Sequence, residues 1–239
     1  MSDVLEVIDL HRSFGGLRAV DGVSFSVREG EVLAIIGPNG AGKTTVFNLL
    51  AGRLRPSHGR IVLDRANVTQ HSVRGRVHRG VVATFQIPRI MAGLTVGEVL
   101  RAALHYGAGV RRPDAEIGAL CQQFDLRGAE LVATLDLHHL KILEMCRAVA
   151  VRPRVLLLDE VAAGLDETER DQIAAKVKEL AASGTAIVVV EHSMDFIRRV
   201  AQRALVLSFG RVIACGAVEE VLADEHVIAA YLGRVDVPA

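Results

Sequence analysis

Residues 37–45, "GPNGAGKTT", follow the apolar run "VLAII" and open the helical pattern "TTVFNLLAGRL". A G-x-x-x-x-G-K-[ST] spacing between a strand and a helix restricts the chain to folds that cradle a phosphate on backbone N–H groups. Gly37, Gly40 and Gly42 allow the turns that aim those groups inward. Lys43 supplies a point charge for β- and γ-phosphates, and Thr44 offers a hydroxyl to Mg²⁺. Pro38, Asn39, Ala41 and Thr45 complete the loop expected to hold the phosphates.

A second apolar run, "VLLLDE", places Asp159 and Glu160 at the carboxyl end of a strand, the edge where α/β sheets hold ligands. Asp159 is expected to hold Mg²⁺, directly or through its water. Glu160 is expected to polarise the water that attacks the γ-phosphoryl group. An acid pair at a strand end alone would read as a helix cap; beside a phosphate loop it reads as catalytic.

The remaining pattern agrees. Short β-rich runs at 4–10, 23–27, 31–36, 60–64, 81–85, 155–159, 186–191, 204–208 and 211–214 alternate with helical patterns, which argues an α/β fold. "VLAII", "VLLLD" and "AIVVV" are continuously apolar, as central parallel strands covered on both faces are. From about 92 to 150 the pattern is helical, in "TVGEVLRAAL", "DAEIGALCQQF" and "HLKILEMCRAVA", and reads as an inserted helical subdomain. Asp166, Glu169 and Gly184 mark the start and stop of a further helix. "RALVLSFGRVIACG" reads as a hairpin turning at 208–210, and "VEEVLADEHVIAAYL" as closing helical segments.

The 239 residues allow one large domain or two small ones on a prior of about 150 residues per domain. Lys plus Arg and Asp plus Glu are both 28, so no overall basic field points to nucleic acid. The apolar runs are far shorter than the ~20 residues a membrane helix needs. The N-terminal "MSDVLEVIDL" lacks the basic-then-apolar order of a secretory signal, so a cytoplasmic chain, soluble or peripheral through a partner, is expected. Cys121, Cys146 and Cys215 are widely spaced and read as three buried thiols.

With these pieces together the chain resembles, over essentially its whole length, the ATP-binding subunit of ATP-binding-cassette (ABC) transporters. The resemblance implies a P-loop NTPase, RecA-like core with an antiparallel β subdomain and an inserted helical subdomain. It implies one domain over 1–239, with the core in about 1–91 and 151–239 and the helical part in about 92–150. Phe14 in "LHRSFGG" is similar to the aromatic that stacks on adenine, where a core phenylalanine is the plain alternative. Gln86 in "ATFQIP" matches the glutamine that joins metal and attacking water to the membrane partner's coupling helix. His192 in "VVVEHSMDF" matches the switch histidine that reaches the γ-phosphate, and "AAGLD" at 162–166 matches the loop through which two subunits sense each other. Val161 stands where most of the family has proline. "DEVAAGLD", "EHSMDF", "FGRVIACG" and "VIAAYLG" look most like the branched-chain amino acid importer branch.

That resemblance implies MgATP hydrolysis with Glu160, His192 and Gln86 as catalytic residues and Thr44, Gln86 and Asp159 at the metal. It also implies transmembrane permease subunits, a head-to-tail dimer with itself or a related ATPase subunit, and indirectly a substrate-binding protein. The place of action would be the cytoplasmic face of the inner membrane. Branched-chain or related amino acids are the expected cargo, with amides, urea or lipid export as alternatives. An ABC ATPase acting on DNA or ribosomes is disfavoured by the neutral charge and the single cassette.

One segment departs from the family. Aligning Glu144, Arg147 and Ala148 puts "LDLHH", 135–139, on the L-S-G-G-Q signature, with Asp136 for serine, Leu137 and His138 for the glycines and His139 for glutamine. In the family this segment starts a helix that closes over the γ-phosphate of the opposite subunit, so Asp136 and His138 are placed among the nucleotide-binding residues. Adjacent helical histidines diverge by roughly 100°, and no further ligand cluster lies nearby in sequence, so a local metal chelate is not expected. The alternative that Asp136 raises is a regulatory module that binds ATP with little turnover.

Overall fold

The computed structural model describes residues 3–84, 93–110 and 113–231. Strands β1 (Asp3–Phe14), β2 (Leu17–Arg28), β4 (His58–Leu63) and β5 (Ala66–Asn67) form an antiparallel sheet in the order β2-β1-β4-β5. Strands β3 (Val32–Ile36), β6 (Val81–Ala83), β7 (Val155–Asp159), β8 (Ala186–Val190), β9 (Arg203–Ser208) and β10 (Arg211–Ala217) form the second, in the order β10-β9-β3-β8-β7-β6. Its ladders are parallel except for the β9–β10 hairpin.

The uninterrupted apolar strands are explained by two cores. Val32, Ala34, Ile36, Leu156, Leu158, Ile187 and Val189 face one core, shared with the helices. The alternate residues Leu33, Ile35, Val155, Leu157, Val188 and Val190 face the other, shared with the antiparallel sheet and with α1 (Lys43–Leu50). Period-two alternation is therefore present in space and invisible in composition, because both faces are covered.

Between β6 and β7 the described residues are helical: α3 (Val96–Ala102) continuing into a π turn at Ala103–Gly107, α4 (Asp114–Gln123) and α5 (Leu137–Ala150). The other helices are α2 (Val73–His78), α6 (Glu167–Ala182), α7 (Met194–Val200), α8 (Val218–Ala223) and α9 (Glu225–Tyr231). The expected α6 boundaries hold, with Asp166 and Glu169 forming a reciprocal capping box and Gly184 at φ 98° beyond the end. Among the described residues no helix is long and apolar enough to cross a membrane.

Two expectations need correction. The first hairpin is longer than the runs 4–10 and 23–27 suggested, because β1 continues to Phe14 and β2 starts at Leu17. Its tip, where Ser13 pairs with Arg18 and Phe14 with Leu17, is exposed on both sides, with Leu17 70% accessible, so no burial pattern marks it; main-chain pairing alone makes it strand. Cys121 and Cys146 are buried, but Cys215 is exposed. It lies on the outward side of β10, where an Arg203 guanidinium nitrogen lies 3.4 Å from its Sγ.

Candidate active site

The carboxyl ends of β3, β7 and β8 lie side by side, since β3 pairs with β8 and β8 with β7. A ligand crevice is expected at that edge of a parallel sheet. A cleft of about 470 Å³ opens there, walled by residues 39–45, by Glu160, Val190 and His192, and by Phe14 and Phe209.

The phosphate loop bridges β3 and α1. Gly37 has φ 148°, and a Cβ there would lie 2.1 Å from the Leu207 carbonyl oxygen. Gly42 has φ 102°, and a Cβ would lie 2.4 Å from the Ala19 oxygen. Neither position admits a side chain. The Gly210 N–H donates to the Ala41 carbonyl at 3.0 Å and pins the loop to the β9–β10 turn. Lys43 curls back over the loop, its ammonium donating to the carbonyls of Gly37 at 2.6 Å and Pro38 at 2.9 Å. Burial lowers its pKa, opposed by Glu160 and Asp159. Thr44 and Thr45 line the same cleft.

Asp159 ends β7 and is 7% accessible. Burial, then the charge of Glu160, raise its pKa, against the attraction of Arg53, His192 and Lys43. Glu160 has φ 48°, a left-handed conformation costly for a side-chain-bearing residue. It is held by its N–H donating to the Val190 carbonyl at 2.9 Å and its carbonyl accepting from the Lys141 ammonium at 2.8 Å. This twist sets Glu160 Oε1 3.3 Å from His192 Nε2.

Phe14 is 43% accessible at the end of β1, with the Arg12 guanidinium carbon 4.7 Å from its ring centroid. The core-phenylalanine alternative does not hold; an exposed ring on a cleft wall is free to stack. Gln86 lies outside the described residues.

Three residues of this edge were missed in the sequence. Glu191, 3% accessible, accepts from the N–H groups of Ala162 at 2.8 Å and His192 at 3.3 Å, tying the 162–166 loop to the strand bearing the histidine. Burial raises its pKa. Lys141 reaches Glu160 from α5; burial lowers its pKa, opposed by Glu191 and Glu160. Arg53 donates to the Thr84 carbonyl at 3.3 Å. For Glu191, an acid ending the run "AIVVVE" was the available signal.

The segment 135–139 is elsewhere: none of its residues lines the cleft. Asp136 is the N-cap of α5, accepting from the His139 N–H at 2.8 Å, with His139 Nδ1 2.7 Å away. The His139 N–H is the main influence holding its pKa down. Leu137 touches the 162–166 loop, where a Cβ on Gly164 would lie 3.0 Å from Leu137 Cδ2. His138 Nε2 is buried without a hydrogen-bond partner. The expectation that the two histidines diverge too far is corrected: donor atoms of Asp136, His138 and His139 lie within 4.8 Å of one another. The N-cap turn folds the Asp136 side chain back over the first turn, which the helical angle alone does not anticipate.

The sheet, the phosphate loop and the acids on the strand ends define a P-loop nucleoside triphosphatase. Residues 20–163 match the ABC transporter family, and 211–237 match the branched-chain amino acid ATP-binding cassette transporter family. The chain belongs to the ABC transporter family and is an ABC-type ATPase of the kind that serves as the ATP-binding subunit. It is 35% identical to the high-affinity branched-chain amino acid transport ATP-binding protein BraF of Pseudomonas aeruginosa, over 97% of this chain and 98% of that one. It is 32% identical to the lipopolysaccharide export system ATP-binding protein LptB of Escherichia coli, over 95% of each. The ADP conformation of MJ1267, an ATP-binding cassette of an ABC transporter, superposes with a TM-score of 0.88 at 28% identity, covering 98% of this chain and 100% of that one.

Proposed function

We propose that this subunit binds MgATP in the cleft at the β3, β7 and β8 ends and uses its hydrolysis to power uptake of branched-chain or related amino acids through separate membrane subunits. The observation that carries the ATPase chemistry is the convergence of Lys43, Asp159, Glu160 and His192 on one cleft edge. The cargo assignment rests on the family match of 211–237 and on the likeness to BraF. The similar identity to LptB makes lipid export the competing cargo.

Phe14 stacks on the base, and residues 37–45 wrap the phosphates with N–H groups. Lys43 exchanges the carbonyls of Gly37 and Pro38 for β- and γ-phosphate oxygens. Glu160 takes a proton from the attacking water as the new P–O bond forms, and the bond to the bridging oxygen breaks, leaving that oxygen on ADP. His192 orients Glu160 and the γ-phosphate. The oxygen donors Thr44 and Asp159 suit a hard cation, and a buried carboxylate disfavoured by its neighbour is a group such a cation relieves. Thr44 and Asp159, with Gln86, would hold Mg²⁺, which when bound would neutralise phosphate charge.

The 135–139 segment is outside its own chain's cleft, which supports a role across a head-to-tail dimer with a second copy or a related subunit. Docking to a permease at the cytoplasmic face of the inner membrane, and through it to a substrate-binding protein, is supported by a mainly apolar groove containing Val73, Val77, Val99 and Tyr106. Val73 and Tyr106 are 44% and 79% accessible. Reconstitution with the membrane subunits in liposomes tests the reading: ATP-dependent uptake of labelled leucine is expected. ATP turnover without amino-acid movement would reject the cargo, and absence of turnover would favour the regulatory module.

A further inference from the structure

Away from the cleft, the antiparallel sheet carries Asp9, His11 and His58 as one cluster. His11 and His58 are directly opposed on β1 and β4, and their rings meet edge-on with centroids 5.6 Å apart. The register shifts between Ile8 and His11, and Asp9 occupies this irregularity at φ 49°. Bulges re-aim side chains, and this one sets the carboxylate between the rings. Asp9 Oδ1 lies 2.8 Å from His11 Nε2, and Oδ2 lies 3.2 Å from His58 Nδ1. One donor atom from each residue falls within a 4.8 Å group.

The support behind the cluster is independent of it. The other nitrogen of His11, Nδ1, lies 3.2 Å from Asp21 Oδ1. Asp21 is fixed in turn by Arg211, whose Nε donates to Oδ2 at 2.9 Å, and its N–H donates to the Gly210 carbonyl at 2.8 Å. Histidines that bind metals are held in this way, by a carboxylate accepting from the nitrogen turned away from the ion. The Asp9 N–H donates to the Ser24 hydroxyl at 2.8 Å, which steadies the third ligand.

We propose that Asp9, His11 and His58 bind a divalent transition-metal ion of the Zn²⁺ type. One Asp9 oxygen, His11 Nε2 and His58 Nδ1 are the protein ligands, Asp21 is the positioning residue, and water completes four-coordination. The ion replaces the hydrogen bonds within the cluster and ties β1 to β4. The Asp136–His138–His139 cluster is the weaker candidate: Asp136 already accepts from the His139 N–H, and a cation there meets the positive end of α5.

Titration of the nucleotide-free full chain with Zn²⁺ by calorimetry, and with Co²⁺ by visible absorption, tests the site. One ion per chain with tetrahedral Co²⁺ bands is expected. His58→Ala, at a side chain 74% accessible and so without consequence for folding, is expected to weaken binding at least about tenfold. Asp21→Asn is expected to weaken it about ten- to a hundredfold while the Co²⁺ bands persist at saturation. Should Asp21→Asn not fold, His58→Ala decides alone. Failure to take up either ion overturns the proposal, as does uptake unchanged in His58→Ala or lost in His139→Ala.

Discussion

The strand-end edge and the start of α5 both serve a nucleotide phosphate in the proposed reading, yet they are built differently. At the first, glycines without room for a Cβ, a left-handed Glu160 and a buried Glu191 are fixed by parallel strands covered on both faces. At the second, an exposed helix start is held by its own cap, with one contact to the 162–166 loop. Residues over-determined by a core cannot be exchanged singly, whereas a helix N-terminus presents N–H groups whatever side chain caps it. The chain departs from the family pattern at the exposed helix start and keeps it at the glycine loop and the strand-end acids, where the packing leaves no alternative.

The largest effect expected from this contrast is in Glu160→Gln. It loses the proton acceptor but keeps the shape, so turnover should fall about 10²- to 10⁴-fold with ATP binding retained. Wild-type turnover in this variant would move the chemistry off the strand edge. Lys43→Ala should cost about 1.5–3 kcal/mol of ATP affinity, roughly ten- to a hundredfold, measured by equilibrium binding. Glu191→Leu leaves the buried Ala162 N–H without its acceptor and should lower unfolding free energy by about 1–3 kcal/mol in urea titrations.

Changes at α5 should be smaller. Asp136→Ala removes the cap and should cost about 0.5–2 kcal/mol, while Asp136→Ser, which can still cap, should cost close to nothing. The folded-state pKa of Asp136 is held below the ordinary 3.8, so the carboxylate's contribution is fully present above 3.8 and is lost as pH falls through the lower folded value. The serine variant should therefore lack that part of the acid unfolding slope. In the assembled transporter Asp136→Ser, which still caps α5, should keep or raise ATPase activity. Loss of activity would make Asp136 a required group and erase the contrast between the two regions.

The strand-edge site was legible because each piece pairs a local motif with a local element: glycines between an apolar strand and a helix, acids ending another strand, a histidine after a third. Lys141 was not legible. It lies nineteen positions before the Glu160 carbonyl it bonds, on a helix whose pattern marks it only as one polar residue among many. Glu191 was hidden in plain view, since an acid after five apolar residues reads as the strand's exit to solvent and here turns inward at 3% accessibility. The tip of the first hairpin, residues 13–18, was illegible because both its faces are exposed, and hydrophobic periodicity reports burial rather than pairing.

By itself the sequence determined the α/β class, the phosphate loop and the acids that follow it, because strand, turn and helix preferences there depend on neighbours in the chain. Tertiary structure alone decided that β3 lies between β8 and β9, which brings Lys43, Glu160 and His192 to one edge. It also decided that His11 faces His58 across a ladder between residues far apart in sequence. Such pairings are set by which faces can be buried together, a property of the whole packed chain that no local window contains.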